Sequence, residues 1–216
     1  MAISNTIVET SFTIGTYVFS FLMGGVVLLS SNFKKWFNNR KNITLSENVF
    51  LRIHSQLDEL LTEMRIKLNC NRTGICRFHN GGYFFDGISI IKSTTTHESC
   101  SLGTVSTIEN GQSILLTRFI DKMELLQKNS ALIHYTSNLK NGNYKAFLES
   151  KNVLGFVLYP LFSDKGTKIG HIYCDWNDYD ELDELDISYI ESMVTYYARI
   201  INSLILTENE QQIKHN

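Results

Sequence analysis

The chain has 216 residues, 43% hydrophobic and 19% charged, which excludes a disordered polypeptide and leaves room for one ordinary domain plus an appendage. A formal net charge of -2 offers no basic surface for nucleic acid, and the single proline, Pro160, excludes a proline-rich linker. The cysteines Cys70, Cys76, Cys100 and Cys174 are too few and too scattered for a disulfide framework and lack zinc spacing, so they read as buried or half-buried thiols in a reducing compartment.

In chain order, residues 1–9 form a short tail with no Lys or Arg. Residues 10–33 carry no charge and are rich in Phe, Val, Leu and Ile, including Phe19, Phe21, Leu22, Val26 and Leu28. At about 1.5 Å per residue, roughly 20 such residues cross a bilayer as a helix, so a transmembrane helix is expected here. The run is too long for the apolar region of a signal peptide. Lys34, Lys35, Arg40 and Lys41 follow in a basic juxtamembrane linker, 34–45. Positive flanks stay inside, which predicts a single-pass inner-membrane protein with its C-terminal part in the cytoplasm. Thr16, Ser20 and Gly24 recur every fourth residue, a face on which membrane helices approach one another.

Thr44 and Glu47 have capping-box spacing and open a helix. Phe50, Ile53, Leu57, Leu60 and Met64 then follow at spacings of three and four. Such a stripe serves equally to pair two chains or to pack the helix on its own domain. The first reading predicts a homodimer through this seam and the last helix.

Strands are expected at 74–79 and 88–94, joined around a glycine pair. At the joint, His79, Asn80, Gly81 and Gly82 precede Tyr83 and Phe84. Aromatic walls with a few aimed polar groups furnish ligand pockets, and glycines let a backbone approach a ligand closely. The other reading is a polar turn in which His79 and Asn80 bond their own backbone. A helix is expected at 114–127, a short strand at 131–135 and a helical turn at 144–150. Strands are expected at 153–162 and 168–176 around a turn at 163–166, and a closing helix at 186–206. The pattern is α+β: an antiparallel sheet flanked by helices.

The acidic stretch Asp175, Asp178, Asp180, Glu181, Asp183, Glu184 and Asp186 lacks calcium-loop spacing and reads as a solvated loop before the last helix's positive end. No metal site is expected. Cys76 and His79 point to opposite faces of a strand, so they do not form a thiol–imidazole pair directly. No serine nucleophile elbow or Walker loop is present.

The Arg77 to Gly81 run, Lys92-Ser93, Glu98, and a final hairpin holding Pro160 and Ile169-Gly170-His171-Ile172 before a closing helix resemble GAF domains, specifically those of bacteriophages. The resemblance spans residues 46–206, leaving 207–216 as a tail. It implies a central antiparallel sheet with helices on one face and a ligand pocket on the other. It also implies dimerisation through the first and last helices. Phe78, His79, Asn80, Tyr83 and Phe84 would then lie at the pocket, with Gly81 and Gly82 giving close backbone approach and Lys92 and Glu98 adding charge. The cyclic-nucleotide pattern and a bilin-attachment cysteine are both missing, so no cofactor is assigned. The tail from Pro160 to Ile201 is similar to the end of the T-even phage holin. The expected function is a membrane-anchored, non-catalytic sensor that binds a small molecule or a partner protein. The alternatives are a holin-like lysis protein, whose domain would be periplasmic, and a thiol redox enzyme of the GAF type.

Overall fold

The computed structural model describes residues 47–178 and 186–214; the predicted tail 1–9, span 10–33, linker 34–45 and acidic residues 180–184 lie outside the described residues. Among the described residues no helix is long and apolar enough to cross a membrane.

Helix α1, Glu47–Lys67, is built on an apolar stripe. Ile53, Leu57, Leu61, Met64 and Leu68 are all buried. It ends where Asn69 takes a positive φ of 45° and Cys70 donates its N–H to Arg65 O at 3.1 Å, a left-handed helix stop. Strands β1, Arg72–Tyr83, and β2, Ser89–Cys100, form a long hairpin. Strand β3, Ile114–Leu115, pairs with Lys92 and Ser93 of β2 and precedes a 3-10 turn and helix α2, Ile120–Gln127. Strand β4, Ile133–Tyr135, and helix α3, Asn143–Glu149, lead into strands β5, Gly155–Phe162, and β6, Lys168–Trp176. Helix α4, Ile187–Lys214, closes the chain, running past the expected end at 206. Asp186 caps it, its Oδ1 accepting N–H bonds from Ser188 and Tyr189 at 2.9 and 3.3 Å.

The six strands form one antiparallel sheet in the order β3-β2-β1-β6-β5-β4. Successive side chains alternate between its faces. One face, with Ile75, Val157, Leu161, Ile172, Cys174 and Trp176, is covered by α1 and by Ile190, Val194, Tyr197, Ile201 and Ile205 of α4. Thr73 ties sheet to helix there, donating its hydroxyl to Leu61 O at 2.9 Å. The other face holds Cys76, Phe156, Leu158 and Tyr173 beneath Phe119, Leu126, Tyr144 and Leu148.

Three expectations are corrected. The proposed pairing seam serves its own chain: Ile53, Leu57 and Met64 are at most 2% exposed, Leu60 packs beside them, and only Phe50, at 45%, faces outward. An apolar sheet face needs a cover, and this stripe supplies it. The hairpin does not turn at the glycine pair. Strand β1 runs on through an irregular pairing between Asn80 and Tyr83, and the reversal comes at Asp86-Gly87. There Gly87, at φ 83°, donates to Phe84 O at 2.9 Å, and Asp86 Oδ1 accepts the Ile88 N–H at 3.1 Å. The stretch 114–127 is helical only from Leu116, first as a 3-10 turn and then as α2, because Ile114 and Leu115 add an edge to the sheet.

The buried seam sets a clear contrast. Leu57→Asp places a charge in the core and should cost more than about 3 kcal/mol, abolishing the cooperative melt followed by circular dichroism. Phe50→Asp, on the exposed side, should stay within about 1 kcal/mol of wild type.

Candidate functional site

Strand alternation brings Arg72, Gly74 and Cys76 of β1, Thr95 and Glu98 of β2, and Tyr173 and Asp175 of β6 to the face opposite the α1–α4 layer. In register, Gly74 stands between Glu98 on one side and Tyr173 on the other. A Cβ on Gly74 would collide with the Tyr173 ring and hydroxyl. The bare backbone therefore lets Tyr173 lie across β1 and donate to Glu98 Oε1 at 2.6 Å.

Glu98 gathers further donors. The Ser106 and Thr107 hydroxyls both donate to it, and the Thr107 N–H reaches Oε2 at 2.8 Å. Burial pushes its carboxyl up, but the hydrogen bonds of Ser106, Thr107 and Tyr173 outweigh this and hold it below the usual range. Arg72 is 1% exposed. It donates Nη1 to Asp175 Oδ2 at 2.8 Å and Nη2 to Val105 O at 2.7 Å, and Nε lies 3.6 Å from Glu98 Oε1. Burial raises Asp175 to about 6, with Arg72 opposing the rise only in part. One carboxylate and one guanidinium thus fasten the segment from Val105 to Thr107 onto the sheet.

Thr107 of that segment borders a cavity of about 40 Å³, room for roughly three waters. Its wall includes Arg72, Cys76, Thr95, Tyr173 and Asp175 from the sheet, Thr107 and Gly111 from the fastened segment, and Phe119, Lys122, Tyr144, Phe147 and Lys151 from the helices and turns. Tyr144 is buried with its ring edge-on to Phe156, and burial keeps its phenol protonated. Lys122 Nζ stands 5.6 Å from the Tyr144 ring centroid.

The residues singled out from the sequence fall mostly elsewhere. The β1–β6 ladder ends at Arg77 opposite Gly170, and beyond it β1 pairs only with β2 as a projecting arm. Phe78 is half-buried, its ring 5.7 Å from that of His171. His79 is exposed, with Nε2 2.9 Å from Thr94 Oγ1. Asn80 Oδ1 accepts the Gly82 N–H at 2.9 Å, so this amide bonds its own backbone. The Lys92 stem lies against Gly81. Tyr83 and Phe84 are 67% and 58% exposed near the arm's tip. Glu98 alone of these residues joins the cavity network.

Asp175 corrects another expectation. It is no part of a solvated acidic loop but sits on β6, 7% exposed and paired with Arg72. Among the described residues no cluster of three or more His, Cys, Asp or Glu could hold a metal. Cys70, Cys76 and Cys174 are buried thiols and Cys100 is half-buried. Burial and neighbouring Glu98 push the Cys100 thiol up, whereas an activated nucleophile needs the reverse.

No protein-family description and no curated protein matches the sequence. Solved structures match the fold. The phycoerythrobilin-bound GAF domain of a cyanobacterial phytochrome aligns at TM-score 0.53 and 14% identity, covering 80% of this chain and 100% of that one. A domain assigned to a two-component sensor histidine kinase of Sinorhizobium meliloti aligns at TM-score 0.52 and 12% identity, over 75% and 97%. The red-light-absorbing state of a red/green cyanobacteriochrome aligns at TM-score 0.52 and 16% identity, over 76% and 98%.

Gly74→Ala tests the bridge over β1. The added methyl should displace Tyr173 from Glu98, cost about 1–3 kcal/mol of stability and raise amide exchange at Ser106 and Thr107. Unchanged exchange there would show that the Tyr173 bond does not hold the segment. The six-stranded antiparallel sheet with flanking helices has the fold of a solved GAF domain, with α2 and α3 packed on the face that the resemblance assigns to the pocket.

Proposed function

We propose that this chain is a sensory protein whose GAF-like domain binds a small molecule in the cavity bordered by Thr107 and Gly111. The observation that carries this reading is a segment fastened by buried charge whose Thr107 and Gly111 line a cavity walled by both aromatic and polar groups. Two of the solved structures it resembles are a bilin-bound domain and a light-absorbing one. A cavity of about 40 Å³ is well below the roughly 300–1,000 Å³ of pockets for drug-sized ligands, so the ligand is smaller than a bilin. Binding and signalling, rather than turnover, are the proposed role.

The chain is further read as anchored in the inner membrane by residues 10–33, with the domain in the cytoplasm. The support is the uncharged run and the Lys34, Lys35, Arg40 and Lys41 that follow it. Its phage association rests on the resemblance of the Phe-His-Asn-Gly run. A reporter active only in the periplasm, fused after Asn216, should stay silent; activity would put the domain on the other side of the membrane.

The ligand reading is tested with the full chain in detergent, following the fluorescence of buried Trp176 on heating. Against a panel of metabolites of up to about ten heavy atoms, at least one should raise the midpoint saturably. A ligand present at 100 times its Kd stabilises by about 2.7 kcal/mol, a shift of several degrees. A panel with no effect at any concentration would remove the sensor reading.

A further inference from the structure

We propose that the ligand of this cavity is a small oxyanion or a molecule that presents a carboxylate, seated by Arg72, Lys122 and Lys151. This rests on the ligand-binding reading above and names the chemistry of what binds.

Three observations converge on it. The first is an unused donor. Arg72 lines the cavity, and its Nε–H is buried with no hydrogen-bond acceptor. Its other nitrogens are engaged, with Asp175 and with Val105 O, and Nε lies 3.6 Å from Glu98 Oε1, an ion pair too long to be a hydrogen bond. A buried N–H without an acceptor is costly, and an oxygen brought in by a ligand removes that cost.

The second is charge. Lys122 from α2 and Lys151 from the turn after α3 both border the cavity. The two carboxylates nearby are already answered. Glu98 accepts from Ser106, Thr107 and Tyr173, and Asp175 accepts from Arg72. With Arg72, Lys122 and Lys151 against Glu98 and Asp175, the cavity and its rim carry one positive charge in excess. A monoanion balances it.

The third is size. Space for roughly three waters suits a group of three or four heavy atoms, the dimensions of a nitrate or a carboxylate. Guanidinium donors match the oxygens of such planar anions. A larger molecule would place its acidic end against these groups and its apolar part against Phe147.

The groups facing Asp175 fix the sign of a pH effect. They are Arg72 from β1, Glu98 from β2, Tyr173 and Cys174 from β6 itself, Lys122 from α2 and Tyr144 from α3. Glu98 is held low and both Tyr144 and Tyr173 are held high, so in the mildly acidic range Asp175 is the carboxyl that changes. Its protonation near pH 6 releases Arg72 and adds a positive charge, so anion affinity rises as pH falls through that value.

The test uses the full chain in detergent, titrated with sodium nitrate, which stays charged throughout this range, against sodium chloride at equal ionic strength. Acetamide serves as a neutral molecule of similar size. Nitrate should stabilise saturably, roughly tenfold more tightly at pH 5 than at pH 8. Acetamide should do nothing. Lys122→Gln and Lys151→Gln, both at half-buried positions, should keep the wild-type melt in chloride and weaken nitrate at least about fivefold each. Asp175→Asn should bind with no pH dependence. A nitrate effect equal in wild type and in the double lysine variant would be a general salt effect and would overturn the proposal. Stabilisation by neutral compounds but not by nitrate would overturn the anion class while leaving a ligand-binding domain. No stabilisation by nitrate, acetamide or the wider panel would overturn both.

Discussion

A guanidinium almost wholly removed from water dictates much of this structure. Burying an ion without matched partners costs several kcal/mol, so Arg72 needs acceptors on more than one side. It finds Asp175 on the neighbouring strand and the Val105 carbonyl on the covering segment, with Glu98 close by. Those partners come from both strands that flank β1 and from the loop above it. Losing any of them would leave a charge stranded in the interior, so strand register and loop position are specified together. Glu98 extends the arrangement, because two of the donors that keep it ionised, Thr107 and Tyr173, also line the cavity.

The two faces of the sheet divide the work. The face under α1 and α4 holds the larger apolar cluster, with the Arg77–Glu208 and His54–His97 contacts beside it, and supplies the bulk of the hydrophobic driving force. The opposite face mixes aromatic packing with buried charge and hydroxyls, and the cavity with aimed polar groups lies on that side. Neighbouring residues on one strand belong to different faces. Arg72 joins the charged network while Thr73 grips the backbone of α1. Strand β1 is therefore a single covalent element shared by the stable layer and the binding layer.

Much of this was legible in the chain. The apolar runs at 153–162 and 168–176 read directly as strands, and the helix periods in α1 and α4 were clear. The seam at Ile53, Leu57 and Met64 was ambiguous for a physical reason: one stripe satisfies a partner helix or a sheet equally well. The hairpin was displaced because Gly81-Gly82 draws the eye before Asp86-Gly87, although the latter has the proper turn chemistry. The cavity residues were harder. Asp175 between Cys174 and Trp176, and Arg72 two residues before Gly74, are charges inside buried strands, which signals a buried pair. The acidic residues downstream disguised the first of these. Lys122, Tyr144 and Lys151 meet Arg72 only through the packing of distant segments, and no local pattern announces that.

The distribution of thiols has a practical corollary. Cys70 and Cys174 sit together in the layer beneath α1 and α4, while Cys76 borders the cavity. Cys100 alone is partly open to solvent. An alkylating reagent would thus meet these sulfurs in an order set by which layer opens first. Capture of Cys76 ahead of Cys70 and Cys174 would record the roof lifting while the helical side stays closed. Simultaneous capture would record unfolding of the whole. The molecule carries chemical clocks for its two halves without any added label.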